Sequence, residues 1–216
     1  MADIQGSTVR SRQNDPSGTG GCPKAKGSRK MRIEKVTERD AAALLEIYAP
    51  YVEQTAISFE YEVPSLAEFE DRIRRISARY PYIKAVDADG KILGYAYAGE
   101  FKSRMAYSWD VETTIYIRRE ERRRGIGAAL YQALEQSLKK MGVCNMNACI
   151  AYTAAPDAHL TNDSMRFHDR MGFALVGTFH QCGYKFGHWY NMIWMEKLIN
   201  PHEPEQPPVQ LGKWEI

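Results

Sequence analysis

No apolar run in this sequence approaches the roughly 20 residues needed to cross a bilayer. Residues 1–21 also lack the apolar stretch of a secretory signal. A soluble protein without membrane association is expected. Cysteine is scarce: Cys22, Cys144, Cys149 and Cys182 form no Cys-x-x-Cys pair, which argues against a disulfide scaffold and for a reduced, cytoplasmic compartment. His180, Cys182 and His188 fit no structural zinc spacing, so no metal is expected. An excess of one charge is missing as well. The net charge is +2, with +4 on residues 1–30 and −2 on the rest, and a body so near neutrality lacks the basic face of a nucleic-acid binder. Also absent are Gly-x-x-x-x-Gly-Lys-Ser/Thr for a nucleotide phosphate loop and Gly-x-Ser-x-Gly for a hydrolase. The dinucleotide fingerprint fails at its third glycine, where Leu130 stands.

The 216 residues, 44% of them hydrophobic, suffice for one domain with a sizeable core. Residues 1–30 are rich in Gly, Ser, Pro and Lys without apolar periodicity, so they are expected to be a disordered extension. Met31 begins a natural domain over 31–199. Residues 200–216, with four prolines, read as a tail on which Leu211 and Trp214 can dock.

Strand-like and helix-like stretches alternate within the domain, which predicts an α/β fold. Met31–Val36 is a strand, and Ala41, Leu44, Leu45, Tyr48 and Val52 have helical spacing. Ser65 and Glu68 form a capping box before a helix whose buried stripe is Leu66, Phe69, Ile73 and Ile76. Asp87-Ala-Asp-Gly90 separates two strands, Tyr82–Val86 and Ile92–Ala98, as an antiparallel hairpin. Tyr107–Ile117 is a further β run. Ile126–Met141 is a helix ended by Gly142, followed by strand Cys144–Tyr152, helix Ser164–Met171, and strands Leu175–Thr178 and Trp189–Leu198.

The most informative stretch is Glu112-Thr-Thr-Ile-Tyr-Ile117, a short loop, then Arg122-Arg-Arg-Gly-Ile-Gly127 opening the helix. Glycines one residue apart let backbone approach a bound group. Free N–H groups in the helix's first turn suit phosphate, and Arg122, Arg123 and Arg124 add charge. The alternative is a plain strand-to-helix turn.

Arg-x-x-Gly-x-Gly between strand and helix resembles the signature of the GCN5-related N-acetyltransferases (GNAT), and Ser164–Phe173 resembles that superfamily's later helix. Ala56–Glu60, Arg79–Pro81, Gly94–Gly99, Lys102–Tyr107, Val111–Tyr116 and Gly183–Trp189 are similar, in order, to phosphinothricin and methionine sulfoximine N-acetyltransferases. The resemblance implies the GNAT fold: a mixed, mostly antiparallel sheet, splayed at the coenzyme site, with helices on both faces. It also implies acetyl-CoA as co-substrate, a small amino acid-like acceptor acetylated on its α-amino group, and a homodimer. Coenzyme contacts fall on Ile115, Tyr116 and Ile117 for pantetheine and on Arg123, Arg124, Gly125, Ile126, Gly127 and Ala128 for pyrophosphate. Thr161 stands where the family usually has an asparagine for the pantetheine arm, with Asn162 one residue on.

Direct acetyl transfer requires a base for the amine and a proton for the leaving thiolate. Glu112, a carboxylate in an apolar β run, matches the family's base, and partial burial would raise its pKa toward neutrality. Facing solvent or an arginine is the alternative. His168 stands where many superfamily members carry an acidic tyrosine, so it is either a proton donor or a histidine that shapes the cleft. Lys102, Arg104 and Tyr107 match residues that hold an acidic acceptor, with charge-assisted bonds of about 1.5–3 kcal/mol each, and Phe59 and Tyr97 would wall that pocket. The competing readings are a GNAT enzyme for another amine or a protein amine, and a non-catalytic acyl-CoA-binding regulatory module.

Overall fold

In the computed structural model, residues 31–216 are described, and the expected extension over 1–30 lies outside them. The strands are β1 (Arg32–Lys35), β2 (Tyr82–Val86), β3 (Ile92–Glu100), β4 (Asp110–Ile117), β5 (Asn145–Tyr152), β6 (Ala174–Lys185) and β7 (His188–Leu198). They form one sheet in the order β1-β2-β3-β4-β5-β7-β6, antiparallel throughout except between β4 and β5. The helices are α1 (Ala41–Gln54), α2 (Leu66–Ser77), α3 (Ile126–Met141) and α4 (Asp163–Arg170). Side chains alternate across a strand, and β2 shows the result. Tyr82 and Val86 join the core under α1 and α2, while Ile83 and Ala85 join the core under α3 on the other face.

Local chemistry sets most boundaries. A short 3-10 turn, Glu38–Asp40, leads into α1, and the Asp40 carboxylate accepts from the Thr37 backbone N–H at 2.8 Å. At α2, Ser65 Oγ accepts from Glu68 N–H at 3.2 Å, but Glu68 turns to Arg72 at 2.5 Å instead of completing the expected box. Leu66 is 44% exposed, so the expected stripe is corrected to Phe69 and Ile73, with Ile76 half-buried. Gly125 and Gly142 bracket α3 with φ of +79° and +87°, a region that favours glycine. Tyr107 ends a 3-10 turn, Met105–Tyr107, rather than opening a strand, and β4 begins at Asp110. β6 extends to Lys185, well past the expected Thr178. Its register shifts between Leu175 and Gly177 and between Phe179 and Gly183, and such bulges destroy the alternation by which a strand is read.

Residues 200–216 contain no helix or strand but lie against the domain. Trp109 Nε1 donates to Pro207 O at 2.7 Å, and Lys35 Nζ to Trp214 O at 2.8 Å. The Gln210 and Gly212 amides donate to Met141 O and Arg79 O, each at 2.9 Å. Trp214 and Val209 pack on the core under α3, while Leu211 stays exposed. No helix among the described residues is long and apolar enough to cross a membrane.

The feature that positions the site is where β4 and β5 part. Their register runs Asp110↔Asn145, Val111↔Met146 and Glu112↔Asn147 and then stops, whereas β4 stays paired with β3 out to Ile117. Side chains close the fork: Thr113 Oγ1 donates to Asn147 O at 3.0 Å, and Asn147 Nδ2 to Val111 O at 3.2 Å.

Candidate active site

A cavity of about 380 Å³ opens at this fork, walled by β4 from Glu112 to Tyr116 and by β5 from Ala148 to Ala151. Tyr131 of α3 with Ser164 and His168 of α4 line it on one side, and residues 57–60 between α1 and α2 line it on the other. Of the residues expected from sequence, it gathers Glu112, Ile115, Tyr116, His168 and Phe59.

Glu112 is the last β4 residue in register with β5. It faces Gly99 across β3, where no side chain intrudes and a Cβ would meet open space. Burial pushes its carboxyl above the ordinary range, and the charge of Lys102 offsets part of that rise. The Lys102 ammonium sits over the rings of Phe101 and Trp194, 4.8 and 5.5 Å from their centroids. Among the described residues, neither Lys102 nor Arg104 lies within ion-pair distance of a carboxylate. Arg104 is exposed before the 3-10 turn, and Tyr107 packs edge-on against Phe101. Lys102, Arg104 and Tyr107, expected to hold the acceptor, are thus not among the residues that line the cavity. Tyr97, expected as a pocket wall, lies beside Tyr82 at 4.7 Å within a stack that also includes Tyr48, Tyr95 and Tyr116. Tyr184 and Trp189 pair at 5.0 Å and are exposed, belonging to neither core nor cavity.

On the opposite side His168 is 3% exposed, and burial lowers its imidazole to about 4, so the ring is neutral at pH 7. Its Nδ1 lies 2.8 Å from Ser164 O, and a carbonyl only accepts, which places the proton on Nδ1. Nε2 is then a lone pair receiving the Tyr131 hydroxyl at 2.9 Å. His168 therefore has no proton aimed at the cavity, and the O–H of the pair belongs to Tyr131. That tyrosine was not singled out in the sequence, although it stands four residues after Gly127 and three before Leu134, on the buried side of α3.

The glycine turn lies at the end of the open strand. Gly125 supplies the left-handed residue before α3, and the first amides of a helix lack intrahelical partners. Gly127 serves packing: a Cβ there would come within 3.1 Å of the Phe167 ring. Ile126 is buried and Ala128 half-buried in that first turn. Arg123 is exposed with φ of +62°, and Arg124 pairs with Glu121. Arg122 lies over the Tyr51 ring and donates to its hydroxyl at 3.1 Å, while that hydroxyl donates to Ile117 O at 2.6 Å. Thr161 is exposed and Asn162 is engaged with Thr153 at 2.8 Å, so neither lines the cavity.

An open strand edge leading to an unpaired helix N-terminus beside arginines suits an extended amide-bearing ligand that ends in phosphates. Those are the parts of coenzyme A, and they define an acyl-CoA-dependent transferase. Residues 33–194 match the family model of the acetyltransferase (GNAT) domain, and the chain belongs to that family. It is 34% identical to the phosphinothricin N-acetyltransferase of Streptomyces viridochromogenes, over 85% of this chain and 97% of that protein. It is 31% identical to the L-methionine sulfoximine/L-methionine sulfone acetyltransferase of Pseudomonas aeruginosa, over 75% and 91%. A GNAT superfamily phosphinothricin acetyltransferase from Sinorhizobium meliloti, solved in complex with AcCoA, superposes with a TM-score of 0.74 at 30% identity, covering 85% of this chain and 98% of that one. The chain is an N-acetyltransferase, and acetyl-CoA is its co-substrate.

Proposed function

We propose that the chain acetylates the α-amino group of a small acidic amino acid analogue, of the phosphinothricin or methionine sulfoximine type, by direct transfer with Glu112 as general base. The observation that supports the reading is the Glu112 carboxyl lining the cavity at the fork, raised by burial and within the field of the Lys102 cation. A carboxyl lifted toward neutrality both accepts a proton from an ammonium and passes it on to water. Lys102, Arg104 and Tyr107 would engage the acceptor's anionic groups.

Acetyl-CoA supplies the activated acetyl thioester. The open edge at Ile115, Tyr116 and Ile117 would hold its pantetheine, and Arg123, Arg124, Gly125, Ile126, Gly127 and Ala128 its pyrophosphate. The Tyr131 hydroxyl has a single proton, directed at His168 Nε2 and Thr113 Oγ1, and it would serve a departing thiolate only by turning away from them. Cys149 also lines the cavity and its residue is exposed to solvent, but partial desolvation by the cavity walls and the Glu112 charge push its thiol up to about 12. A thiol kept protonated is a poor nucleophile, which favours direct transfer over an acyl-cysteine route. Dimerisation is proposed through the outer strand β6, whose exposed Leu175, Val176 and Phe179 leave an apolar edge.

A thiol-release assay with phosphinothricin, methionine sulfoximine and methionine sulfone tests the reading. Turnover with at least one is expected, rising with pH as Glu112 ionises. Glu112→Gln should lower kcat by about 10²–10⁴-fold while acetyl-CoA affinity is retained. Acetyl-CoA binding without turnover of any of the three would refute the acceptor, and unchanged kcat in the variant would remove Glu112 as base.

A further inference from the structure

The segment Gly183-Tyr-Lys-Phe-Gly-His-Trp189 has no part in the chemistry above, yet its lysine is among the most buried charges in the fold. Lys185, 3% exposed, ends β6 and drives its ammonium under the C-terminal end of α1. There it donates to three backbone carbonyls, Val52 O at 2.6 Å, Ser58 O at 2.8 Å and Thr55 O at 3.0 Å. An ammonium has three N–H groups, so all are spent on main chain. Val52 O is one of the last carbonyls of α1, left without an intrahelical partner and lying at the negative end of the helix dipole, where a cation is favoured. Thr55 and Ser58 belong to the segment that leaves α1 and becomes the cavity wall at Ile57, Ser58, Phe59 and Glu60.

Neighbouring contacts act on the same segment. A Cβ on Gly183 would run into the Phe59 ring, so the missing side chain is the socket in which Phe59 rests. Tyr61 donates its hydroxyl to Tyr184 O, and Phe186 stacks on His159 at 3.9 Å. The end of the β6–β7 hairpin is thus fastened to the segment that lines the same cavity as Glu112, on the α1 face of the sheet and opposite the face that carries Tyr131.

We propose that Lys185 is a positioning residue for the acceptor: by tying Val52, Thr55 and Ser58 to the hairpin it fixes Phe59 and Glu60 against the cleft, and so sets acceptor fit without touching the acceptor. The inference rests on the acceptor side lying by Glu112, as proposed above. A side chain acting only on the acceptor wall alters acceptor KM and leaves coenzyme KM alone. A general packing residue would change both or change only stability.

Lys185→Met keeps the apolar stem and deletes the three donors. Steady-state kinetics on the full chain are expected to show acceptor KM raised about tenfold or more, with acetyl-CoA KM within about twofold of wild type. Hydrogen exchange should be faster at the Ile57 and Glu60 amides and unchanged along α3. A parallel rise in both KM values, or unaltered exchange over 55–61, would overturn the proposal. If Lys185→Met does not fold, Gly183→Ala, which must displace Phe59, takes its place with the same two readouts. If wild type turns over no amino acid acceptor, the acceptor reading fails, and the exchange measurement still decides whether Lys185 holds the wall.

Discussion

A neutral, buried imidazole leaves a thermodynamic trace. The ordinary histidine value is about 6.5, and burial lowers His168 to about 4. Between these values the unfolded chain binds a proton that the folded chain refuses. The corresponding stability, about 3 kcal/mol, is present above pH 6.5 and is lost as the pH falls through 4. Urea denaturation across that window should therefore show a shallower pH dependence for His168→Gln than for wild type. Identical dependences would mean that His168 is not the neutral buried group. At this scale the sequence was readable where chemistry conflicted with its surroundings, as for Glu112 in an apolar β run. It was unreadable where meaning came from distant partners. Tyr131 acquires its role from His168, and Lys185 from carbonyls more than 120 positions away.

Among the elements, the β3–β4 pair is the rigid side of the cleft, and Gly94 is its tightest point. A Cβ there would lie 2.6 Å from Ile117 Cδ1 and 2.8 Å from Tyr116 O. The Ile117 side chain can turn away, but the Tyr116 carbonyl is part of the sheet and cannot. Gly94→Ala is expected to cost about 1–3 kcal/mol of stability and to displace the open strand edge, so coenzyme affinity should drop as well. Denaturation and acetyl-CoA titration check both, and an unchanged pair of values would refute the tight packing. Helix α3 was legible to its first and last residue because a glycine in the left-handed region marks each end. By contrast, β6 was legible only up to its second bulge. Leu66 misled because it keeps helical spacing with Phe69 and Ile73 while sitting in the first turn, beyond the sheet's cover.

Across the whole molecule, residues 200–216 act as a strap that touches β1, α2, α3 and the approach to β4. Trp214 is its anchor, with Lys35 4.3 Å above the ring centroid and the indole packed on the core under α3. For a half-buried tryptophan, truncation to alanine should cost about 1–2 kcal/mol, or about 2–4 °C of melting temperature per kcal/mol for a chain of this size. Acetyltransferase kinetics should stay unchanged, since no residue of the strap lines the cavity. A melting temperature equal to that of wild type would show that the strap bears no load. Composition marked these residues as a tail because four prolines preclude helix and sheet ladders. It could not reveal that their N–H groups and carbonyls are spent on the domain.

The fork between β4 and β5 carries a mechanical consequence. Three residue pairs are all that join β1–β4 to β5–β7 through the sheet, so beyond Glu112 the two halves part, held together by the core that residues of both share with α3. An extended ligand lying along the open strand would take the place of the missing rungs. Filling the cleft would then do for this sheet what an eighth strand would do: close an interior edge and make two half-sheets resist force as one.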